Sequence, residues 1–255
     1  MRRPSWAAHG TIARAIQLLL LCSLNVVSWK NEEHRTDRKK FRDQFSGGQY
    51  EESPFVFMER EHISQALTRI DLYRLALGVH GSIVECGSFR GNSLVLWAHL
   101  VELFEPHNQT RLVIGFDTFR GFPSVAPEDG GTARPGRLAA AHPERLREMI
   151  RLNNIDHRVE LVEGDATRTI PAFVKDNPHL VIALLYLDFD IYEPTSVALQ
   201  HLLPLVPRGG VVGFDELALA KWPGETVAFK RHLSFGEVRL SRFVYHPDVS
   251  FFVRD

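Results

Sequence analysis

Cysteine is scarce in this chain, and so is net charge of either sign. The 255 residues include two cysteines, Cys22 and Cys86, and the formal net charge is −1. Two cysteines make no disulfide framework, so we expect a reducing, cytoplasmic location. A near-neutral chain gives no electrostatic reason to expect nucleic acid as a partner. The chain also lacks internal repeats, and its length suits one α/β domain with additions.

A long apolar run is missing as well. Residues 15–29 carry no charge and follow a basic start, but this stretch is too short to span a membrane comfortably. It resembles a signal peptide without a clean cleavage site, and residues 30–42 are densely charged. Three interpretations stay open: a leader that contacts a membrane, an amphipathic helix packed on the domain or a partner, and a wrong translation start. We therefore assign residues 1–47 to an N-terminal extension and 48–255 to one domain.

Apolar segments alternate with helix-like patterns through the rest of the chain. This alternation predicts an α/β fold with a doubly wound, mostly parallel sheet. Residues 118–143 are broken by glycine and proline and are predicted to form an active-site loop or lid. The predicted strands are 82–86, 111–116, 159–163, 180–187 and 211–214, with a C-terminal β-hairpin of 236–239 and 249–253. The predicted helices are 59–77, 92–104, 143–153, 170–176, 193–203 and 226–233.

The first predicted strand leads through a glycine-bearing turn into a helix. Gly87 and Gly91 do not make a dinucleotide fingerprint, and glycines can serve a turn for backbone reasons alone. The acid at the strand end is more informative, because a dinucleotide site must hold a pyrophosphate there. A carboxylate suits a positively charged ligand group, such as the amino group of S-adenosylmethionine. The residues predicted to bind this cofactor here are Glu85, Cys86, Gly87 and Ser93.

Acidic residues stand at the carboxyl ends of all five strands, where doubly wound sheets bind ligands. Clustered like charges lower stability unless a cation neutralises them or a hydrogen-bond donor stabilises them. Asp117, followed by Thr118, is placed to accept the ribose hydroxyls, with a turn cap as the alternative. Asp165 and Ala166 are placed at the adenine edge, although Asp165 could simply cap a helix. The five acids are Glu85, Asp117, Asp165, Asp188 and Asp215.

The acids after the fourth and fifth strands have a different explanation. Asp188, Asp190, Asp215 and Glu216 follow strands that are neighbours in this architecture. Converging carboxylates favour a hard divalent cation such as Mg²⁺. A bound metal would orient a substrate hydroxyl and lower its pKa, which a sugar hydroxyl needs in order to react. The alternative is that Asp190 caps the following helix and only Asp188 is functional.

From about residue 55 to residue 229 the sequence resembles the macrocin O-methyltransferase-like family. These are class I S-adenosylmethionine enzymes that methylate sugar hydroxyls. The resemblance therefore implies a Rossmann-like fold and S-adenosylmethionine and Mg²⁺ as cofactors. The segments that carry it are residues 83–91 (IVECGSFRG), 113–123 (VIGFDTFRGFP), 159–166 (VELVEGDA), 185–195 (LYLDFDIYEPT) and 213–216 (GFDE).

The resemblance also implies roles for the acids. Asp188, Asp215 and Glu216 match the metal ligands, and Asp188, or else Asp190, matches the catalytic base. The last pair is Asp-Glu here, where characterised antibiotic-sugar members carry Asp-Asp. Glu216 therefore either reaches the metal or leaves it to Asp215 alone. The N-terminal extension has no counterpart in the family.

Three functions follow, and the first is an Mg²⁺-assisted O-methyltransferase acting on a small-molecule, sugar-type acceptor. The second is a glycosyltransferase that uses the D-x-D pattern at Asp188 and Asp190. The third is a non-catalytic scaffold with a methyltransferase-like fold. We expect a homo-oligomer, and a membrane contact through residues 15–29 is compatible with the sequence.

Overall fold

The computed structural model describes residues 39, 43–45, 47–140 and 142–255. The chain divides into two compact units, Met1–Glu59 and Arg60–Asp255. The predicted boundary at residue 47 stays a prediction, and the apolar stretch at residues 15–29 lies outside the described residues. Within the described ranges, no helix combines the length and the hydropathy needed to cross a bilayer.

In the first unit, residues 47–59 contain two short helices, α1 (Gly47–Glu52) and α2 (Pro54–Phe57). Aromatic side chains pack between them and the preceding residues. The ring of Phe57 lies 5.1 Å from that of Phe45 and 4.5 Å from that of Tyr50, both edge to face. Such edge-to-face pairs are favourable contacts between aromatic rings.

The second unit alternates helices and strands, as the sequence predicts. The helices are α3 (Arg60–Ala76), α4 (Asn92–Phe104), α5 (Pro143–Leu152), α6 (Ala166–Asp176), α7 (Tyr192–His201) and α8 (Pro223–His232). The strands are β1 (Ser82–Cys86), β2 (Val113–Asp117), β3 (Val159–Glu163), β4 (Ile182–Leu187), β5 (Val211–Phe214), β6 (Ser241–Phe243) and β7 (His246–Val253).

The strands form one sheet in the order β3-β2-β1-β4-β5-β7-β6. Strands β1 to β5 are parallel, and β7 runs antiparallel to both of its neighbours. The chain order reverses between β1 and β4, which is the position where doubly wound sheets bind their ligands. The prediction of a doubly wound, mostly parallel sheet is confirmed.

Both faces of the sheet are covered. Every residue of β1, β4 and β5 is buried, which explains why β4 and β5 are apolar throughout rather than alternating. One face packs Trp97 of α4 and Tyr73 of α3, and the opposite face packs Phe229 of α8 and Ile170 of α6. The two apolar layers hold the carboxyl ends of the strands rigidly in register.

The C-terminal hairpin lies a few residues away from the prediction. Residues 236–239 lie in a turn and an irregular segment, so the strand predicted there is wrong. The hairpin instead pairs β6 with β7, and its turn leaves Val244 96 % exposed. The ring of Phe243 stacks on that of Phe251 at 4.7 Å. Aromatic cross-strand packing favours this register, and residues 236–239 have no comparable aromatic partner in their sequence.

The long segment after β2 is anchored to two helices. Within it, a 3₁₀ helix (Pro127–Thr132) carries the buried Asp129. Asp129 Oδ2 accepts a hydrogen bond from Ala126 N at 2.7 Å, and Oδ1 accepts one from Tyr192 N at the start of α7. A Cβ atom at Gly224 of α8 would lie 2.2 Å from Asp129 Oδ1. Glycine there allows α8 to approach the anchored carboxylate.

The substitution Asp129→Ala tests this anchor. It removes the acceptor for two backbone N–H groups, so we expect the free energy of unfolding to fall by about 1–3 kcal/mol. Trypsin should also cut faster after Arg134 and Arg137, which lie in the same segment. Urea unfolding and timed proteolysis measure the two effects. Glu128→Ala, at the neighbouring acid, is the control, and equal stability of the two variants would contradict the anchor.

Candidate active site

A cavity of about 550 Å³ opens at the carboxyl edge of the sheet. Each of the five parallel strands places a residue in its wall. The sequence predicts a binding site at this edge, and the structure brings the residues that follow the strands together there. These wall residues include Gly87, Asp117, Asp165, Asp188 and Asp215.

The turns after β1, β4 and β5 are held together by their backbones. Gly87 N donates to Phe116 O at 2.9 Å, and Asp188 N donates to Cys86 O at 2.8 Å. Gly87 has a φ of +100°, and a Cβ atom there would lie 1.9 Å from the carbonyl oxygen of Asp188. Only glycine fits, because both the conformation and the close approach exclude a side chain.

Three of the predicted cofactor residues lie behind the cavity wall. Glu85 is 1 % exposed, and burial raises the pKa of its carboxyl to about 8. Cys86 is fully buried. Ser93, on the first turn of α4, accepts a hydrogen bond from Arg69 Nε at 3.2 Å. None of the three is among the residues that line the cavity. Their direct contact with a cofactor stays a prediction.

Asp117 lines the cavity and also organises the turns beside it. Its Oδ2 accepts from Phe89 N and its Oδ1 from Phe119 N, both at 2.6 Å. The turn-cap alternative is therefore present in the structure. Each carboxylate oxygen can accept more than one hydrogen bond, so the cap is compatible with ribose binding. Thr118, also in the wall, donates to Gly121 O at 2.6 Å.

Asp165 caps helix α6. Its Oδ1 accepts from Thr167 N at 3.0 Å and from Thr167 Oγ1 at 2.7 Å. This cap starts α6 at Ala166, four residues before the predicted helix. Asp165 and Ala166 also line the cavity, next to Gly164. Their contact with an adenine ring stays a prediction.

The acids after β4 and β5 converge. Oxygen atoms of Asp188, Asp215 and Glu216 all lie within 4.8 Å of one another. Burial and the neighbouring Asp215 raise the pKa of Asp188 well above its ordinary value. Burial and a hydrogen bond with Asp190 raise the pKa of Glu216 to about 11. The cluster therefore carries carboxylates whose charge is poorly compensated in this low-dielectric position.

One oxygen of the cluster lacks a partner that would compensate its negative charge. Glu216 Oε2 is buried and has no hydrogen-bond partner among the described residues. A buried carboxylate oxygen without a partner is costly. Together with Asp188 and Asp215, Glu216 forms an oxygen-rich set close to the cavity that fits a hard divalent cation such as Mg²⁺. Glu216 can therefore reach the same point as Asp215.

Sequence reasoning missed Arg69, which contacts this cluster from α3. Its Nη2 lies 3.2 Å from Asp215 Oδ1 and 3.6 Å from Asp188 Oδ2. Tyr186 also donates its hydroxyl to Asp215 Oδ1. Apolar spacing does not mark Arg69, because the buried face of α3 mixes polar and apolar side chains. That face consists of Thr68, Arg69, Leu72, Tyr73 and Ala76.

Glu225 is a second residue that the sequence did not single out. It lies on the first turn of α8 and is fully buried. Its Oε1 accepts a hydrogen bond from Glu216 N at 3.2 Å. It therefore fixes the backbone of the turn that carries Glu216.

The raised pKa of Glu85 predicts how the stability of the protein without bound ligands depends on pH. The folded chain favours the protonated acid, so this contribution is full below pH 4.5 and is lost as pH rises toward about 8. Glu85→Gln mimics the protonated form at every pH. We expect its free energy of unfolding to match that of the wild type near pH 5. As pH rises, the variant should become more stable than the wild type, by up to about 1.4 kcal/mol per pH unit.

Urea unfolding of both proteins between pH 5 and pH 8 measures this difference. Glu160→Gln, at an exposed position on β3, is the control for the loss of a negative charge. A Glu85→Gln protein that gained no stability at pH 8 would contradict the raised pKa.

Comparison with known proteins shows sequence similarity to enzymes of natural-product biosynthesis. A Streptomyces olivaceus protein, 8-demethyl-8-(2,3-dimethoxy-alpha-L-rhamnosyl)-tetracenomycin-C 4'-O-methyltransferase, is 31 % identical over 57 % of this chain and 56 % of its own length. Demethyldecarbamoylnovobiocin O-methyltransferase of Streptomyces niveus is 30 % identical over 54 % of this chain and 53 % of its own length. The chain spans about half the length of these curated relatives.

Solved structures share more of the chain. The crystal structure of CalS11, a calicheamicin methyltransferase, covers 88 % of this chain and 93 % of its own, with a TM-score of 0.80 and 33 % identity. The O-methyltransferase NovP covers 75 % of this chain and 80 % of its own, with a TM-score of 0.63 and 23 % identity. The sheet topology is therefore that of Rossmann-like class I methyltransferases.

The family comparison covers most of the sequence. The model described as Macrocin-O-methyltransferase (TylF) matches residues 32–233, which include every wall residue of the cavity. This match spans more than half of the chain, and it agrees with both the fold and the relatives above. The chain belongs to the macrocin O-methyltransferase family.

Proposed function

We propose that this protein is an S-adenosylmethionine-dependent, Mg²⁺-assisted O-methyltransferase. Its acceptor is a hydroxyl of a sugar, a nucleotide-sugar or a glycosylated natural product. The observation that carries the proposal is the convergence of Asp188, Asp215 and Glu216 beside a cavity that also contains Gly87 and Asp117. One cavity therefore offers both a cofactor turn and an oxygen-rich cation site.

The cofactor half lies over the ends of β1, β2 and β3. Gly87 supplies a turn without a side chain, so a ligand can approach its backbone closely. Asp117 offers a carboxylate to the two ribose hydroxyls. Asp165 and Ala166 form the neighbouring wall, where the adenine edge would lie. These chain residues orient the cofactor, and orientation is a large part of catalysis by transfer between two bound reactants.

The acceptor half lies over the ends of β4 and β5. Asp188, Asp215 and Glu216 would hold the cation. When bound, Mg²⁺ supplies Lewis-acid assistance that lowers the pKa of an acceptor hydroxyl. The cavity wall also has an apolar part, which is lined by Phe122, Pro123 and Leu138. These side chains restrict water around the acceptor and shape the space that the acceptor fills.

The two candidate bases differ in their surroundings. Asp188 Oδ2 lies 3.6 Å from Arg69 Nη2, and Asp188 belongs to the set of three carboxylates that would hold the cation, so its oxygens would be engaged when the metal is bound. Asp190 lines the cavity, and burial raises its pKa. A raised pKa improves proton acceptance near neutral pH. We therefore assign proton removal to Asp190 and metal binding to Asp188.

The other two functions have less support. The family membership and the methyltransferase topology favour methyl transfer over a D-x-D glycosyltransferase. A scaffold without catalysis has no need for Glu216 Oε2, a buried acceptor without a partner among the described residues. Binding of a sugar-nucleotide donor without binding of S-adenosylmethionine would favour the glycosyltransferase. Tight cofactor binding without turnover would favour the scaffold.

The substitution Asp117→Asn tests the cofactor half. It keeps the size of the side chain but removes the charge that accepts the ribose hydroxyls. We expect the Kd for S-adenosylhomocysteine to rise at least tenfold, which is about 1.4 kcal/mol or more. Calorimetric titration of the full chain measures it, and the thermal midpoint shows that the variant is folded. Asp176→Asn, at the exposed end of α6, is the control.

Failure of this test has two forms. A wild-type protein that binds neither S-adenosylmethionine nor its demethylated product would overturn the proposed cofactor. A folded Asp117→Asn protein with wild-type affinity would overturn the ribose role of Asp117 and leave the cofactor in place.

The pair Asp190→Asn and Asp188→Asn separates the base from the metal ligand. We expect Asp190→Asn to lower kcat by about 10²–10⁴-fold while Mg²⁺ binding persists. Asp188→Asn should weaken Mg²⁺ binding as well. Transfer of a labelled methyl group to TDP-rhamnose and to a panel of glycosides measures turnover, with chelator-treated wild type as reference. TDP-rhamnose heads the panel because another CalS11 structure, 30 % identical to this chain, is described as that of a TDP-rhamnose 3'-O-methyltransferase.

A different pattern would reverse the assignment. If Asp190→Asn retained wild-type kcat, Asp190 would not be the base. If a chelator left wild-type turnover unchanged, the role of Mg²⁺ would be wrong. Full activity of Asp188→Asn without added metal would contradict the whole acceptor half.

A further inference from the structure

Arg69 on α3 makes ion pairs with two acids of the cluster, Asp188 and Asp215. Its side chain is only 6 % exposed, and it crosses from the helix to the carboxyl edge of the sheet. Its guanidinium carbon lies 4.6 Å from the centre of the Tyr186 ring on β4. Its backbone oxygen accepts a hydrogen bond from Trp97 Nε1 at 3.1 Å. Helix and strand contacts therefore fix both ends of this residue.

The guanidinium joins the two halves of the cavity wall. Nε donates to Ser93 Oγ at 3.2 Å, on the first turn of the helix that follows the cofactor turn. Nη2 faces the other half, at 3.2 Å from Asp215 Oδ1 and 3.6 Å from Asp188 Oδ2. A planar guanidinium holds these donors in a fixed relation, so a displacement at one end is transmitted to the other.

The contacts on Asp215 also orient its carboxylate. Arg69 Nη2 and the Tyr186 hydroxyl both donate to the same oxygen, Oδ1. Two donors on one oxygen restrict the rotation of the carboxylate, and in this orientation one oxygen of Asp215 lies within 4.8 Å of oxygens of Asp188 and Glu216. The geometry of the cation ligands therefore depends on where the guanidinium lies.

Two buried polar groups lie behind the cofactor turn after β1. Arg69 Nη1 and Glu85 Oε2 are both buried and have no hydrogen-bond partner among the described residues. The charge of Arg69 acts on Glu85, so the two groups interact electrostatically. A shift of the cofactor turn would therefore change this interaction.

We propose that Arg69 is a positioning residue that couples cofactor binding to metal binding. The proposal rests on the proposed function, because it takes S-adenosylmethionine and Mg²⁺ as the two ligands. Cofactor at the β1 turn fixes Ser93 and with it the guanidinium, and the guanidinium fixes Asp215 for the cation. Because coupling between binding sites is reciprocal, the cation strengthens cofactor binding by the same factor.

Arg69→Lys separates the charge from the geometry. Lysine keeps a positive charge near the acids, but its single ammonium cannot hold Ser93 and Asp215 in one rigid plane. The matched control is Arg74→Lys on the same helix, where the side chain is 64 % exposed and pairs with Asp71. Ser93→Ala is a second test, because it removes only the contact on the cofactor side.

The experiment is a pair of titrations on the full chain. Calorimetry gives the Kd of S-adenosylhomocysteine with and without Mg²⁺, and electron paramagnetic resonance gives the Kd of Mn²⁺ with and without S-adenosylhomocysteine. We expect each ligand to tighten the other at least fivefold in the wild type and in Arg74→Lys. In Arg69→Lys and in Ser93→Ala this factor should fall close to one. Thermal midpoints show which variants are folded.

The outcomes distinguish the two proposals. A wild type that binds neither ligand overturns the proposed function and this inference with it. If the wild type binds both ligands but neither ligand tightens the other, the inference alone is overturned. The same holds if the tightening factor of the wild type is retained in folded Arg69→Lys. If Arg69→Lys does not fold, Ser93→Ala decides, and retention of the wild-type factor there overturns the coupling.

Discussion

Burial of several carboxylates at one edge of a parallel sheet is the constraint on which this structure depends. Parallel strands bring their carboxyl ends to the same edge, so the acids that follow β4 and β5 cannot avoid one another. Arg69 brings a single positive charge against Asp188 and Asp215. Glu216 Oε2 keeps no partner among the described residues. Removing carboxylates from water is costly, and the protein tolerates this cost at a place where a bound cation would offset it.

The sequence could predict the order of strands and helices, because their burial leaves a pattern of apolar residues in the sequence. Strands β1 and β5, which are buried throughout, begin and end at the predicted residues, and so does helix α4. The acids of the site could be predicted for the same reason. A residue that directly follows a parallel strand has its place in the fold fixed by the strand. Asp188 and Asp215 needed no further information to be placed together.

Contacts from distant segments could not be predicted in this way. Arg69 lies on a helix whose exposed side carries Leu67 and Leu75, 42 % and 45 % exposed, so hydrophobic spacing gives the wrong face. The shift of the hairpin from residues 236–239 to β6 depends on the stacking of Phe243 on Phe251. Asp165 offered two roles in the sequence, and the helix cap is the one that the described contacts show. For Arg69 and for the hairpin, tertiary packing overrides a local pattern.

The contact between Gly87 and the carbonyl oxygen of Asp188 constrains how this family can diversify. The two turns touch through their backbones, with no side chain between them that could change size. A lengthened loop at either turn would push the other out of place, so the cofactor turn and the acid turn must evolve as a unit. New acceptor preferences then have to arise elsewhere in the wall. The segment that carries Phe122, Pro123 and Leu138 is one such part of the wall, because these side chains line the same cavity.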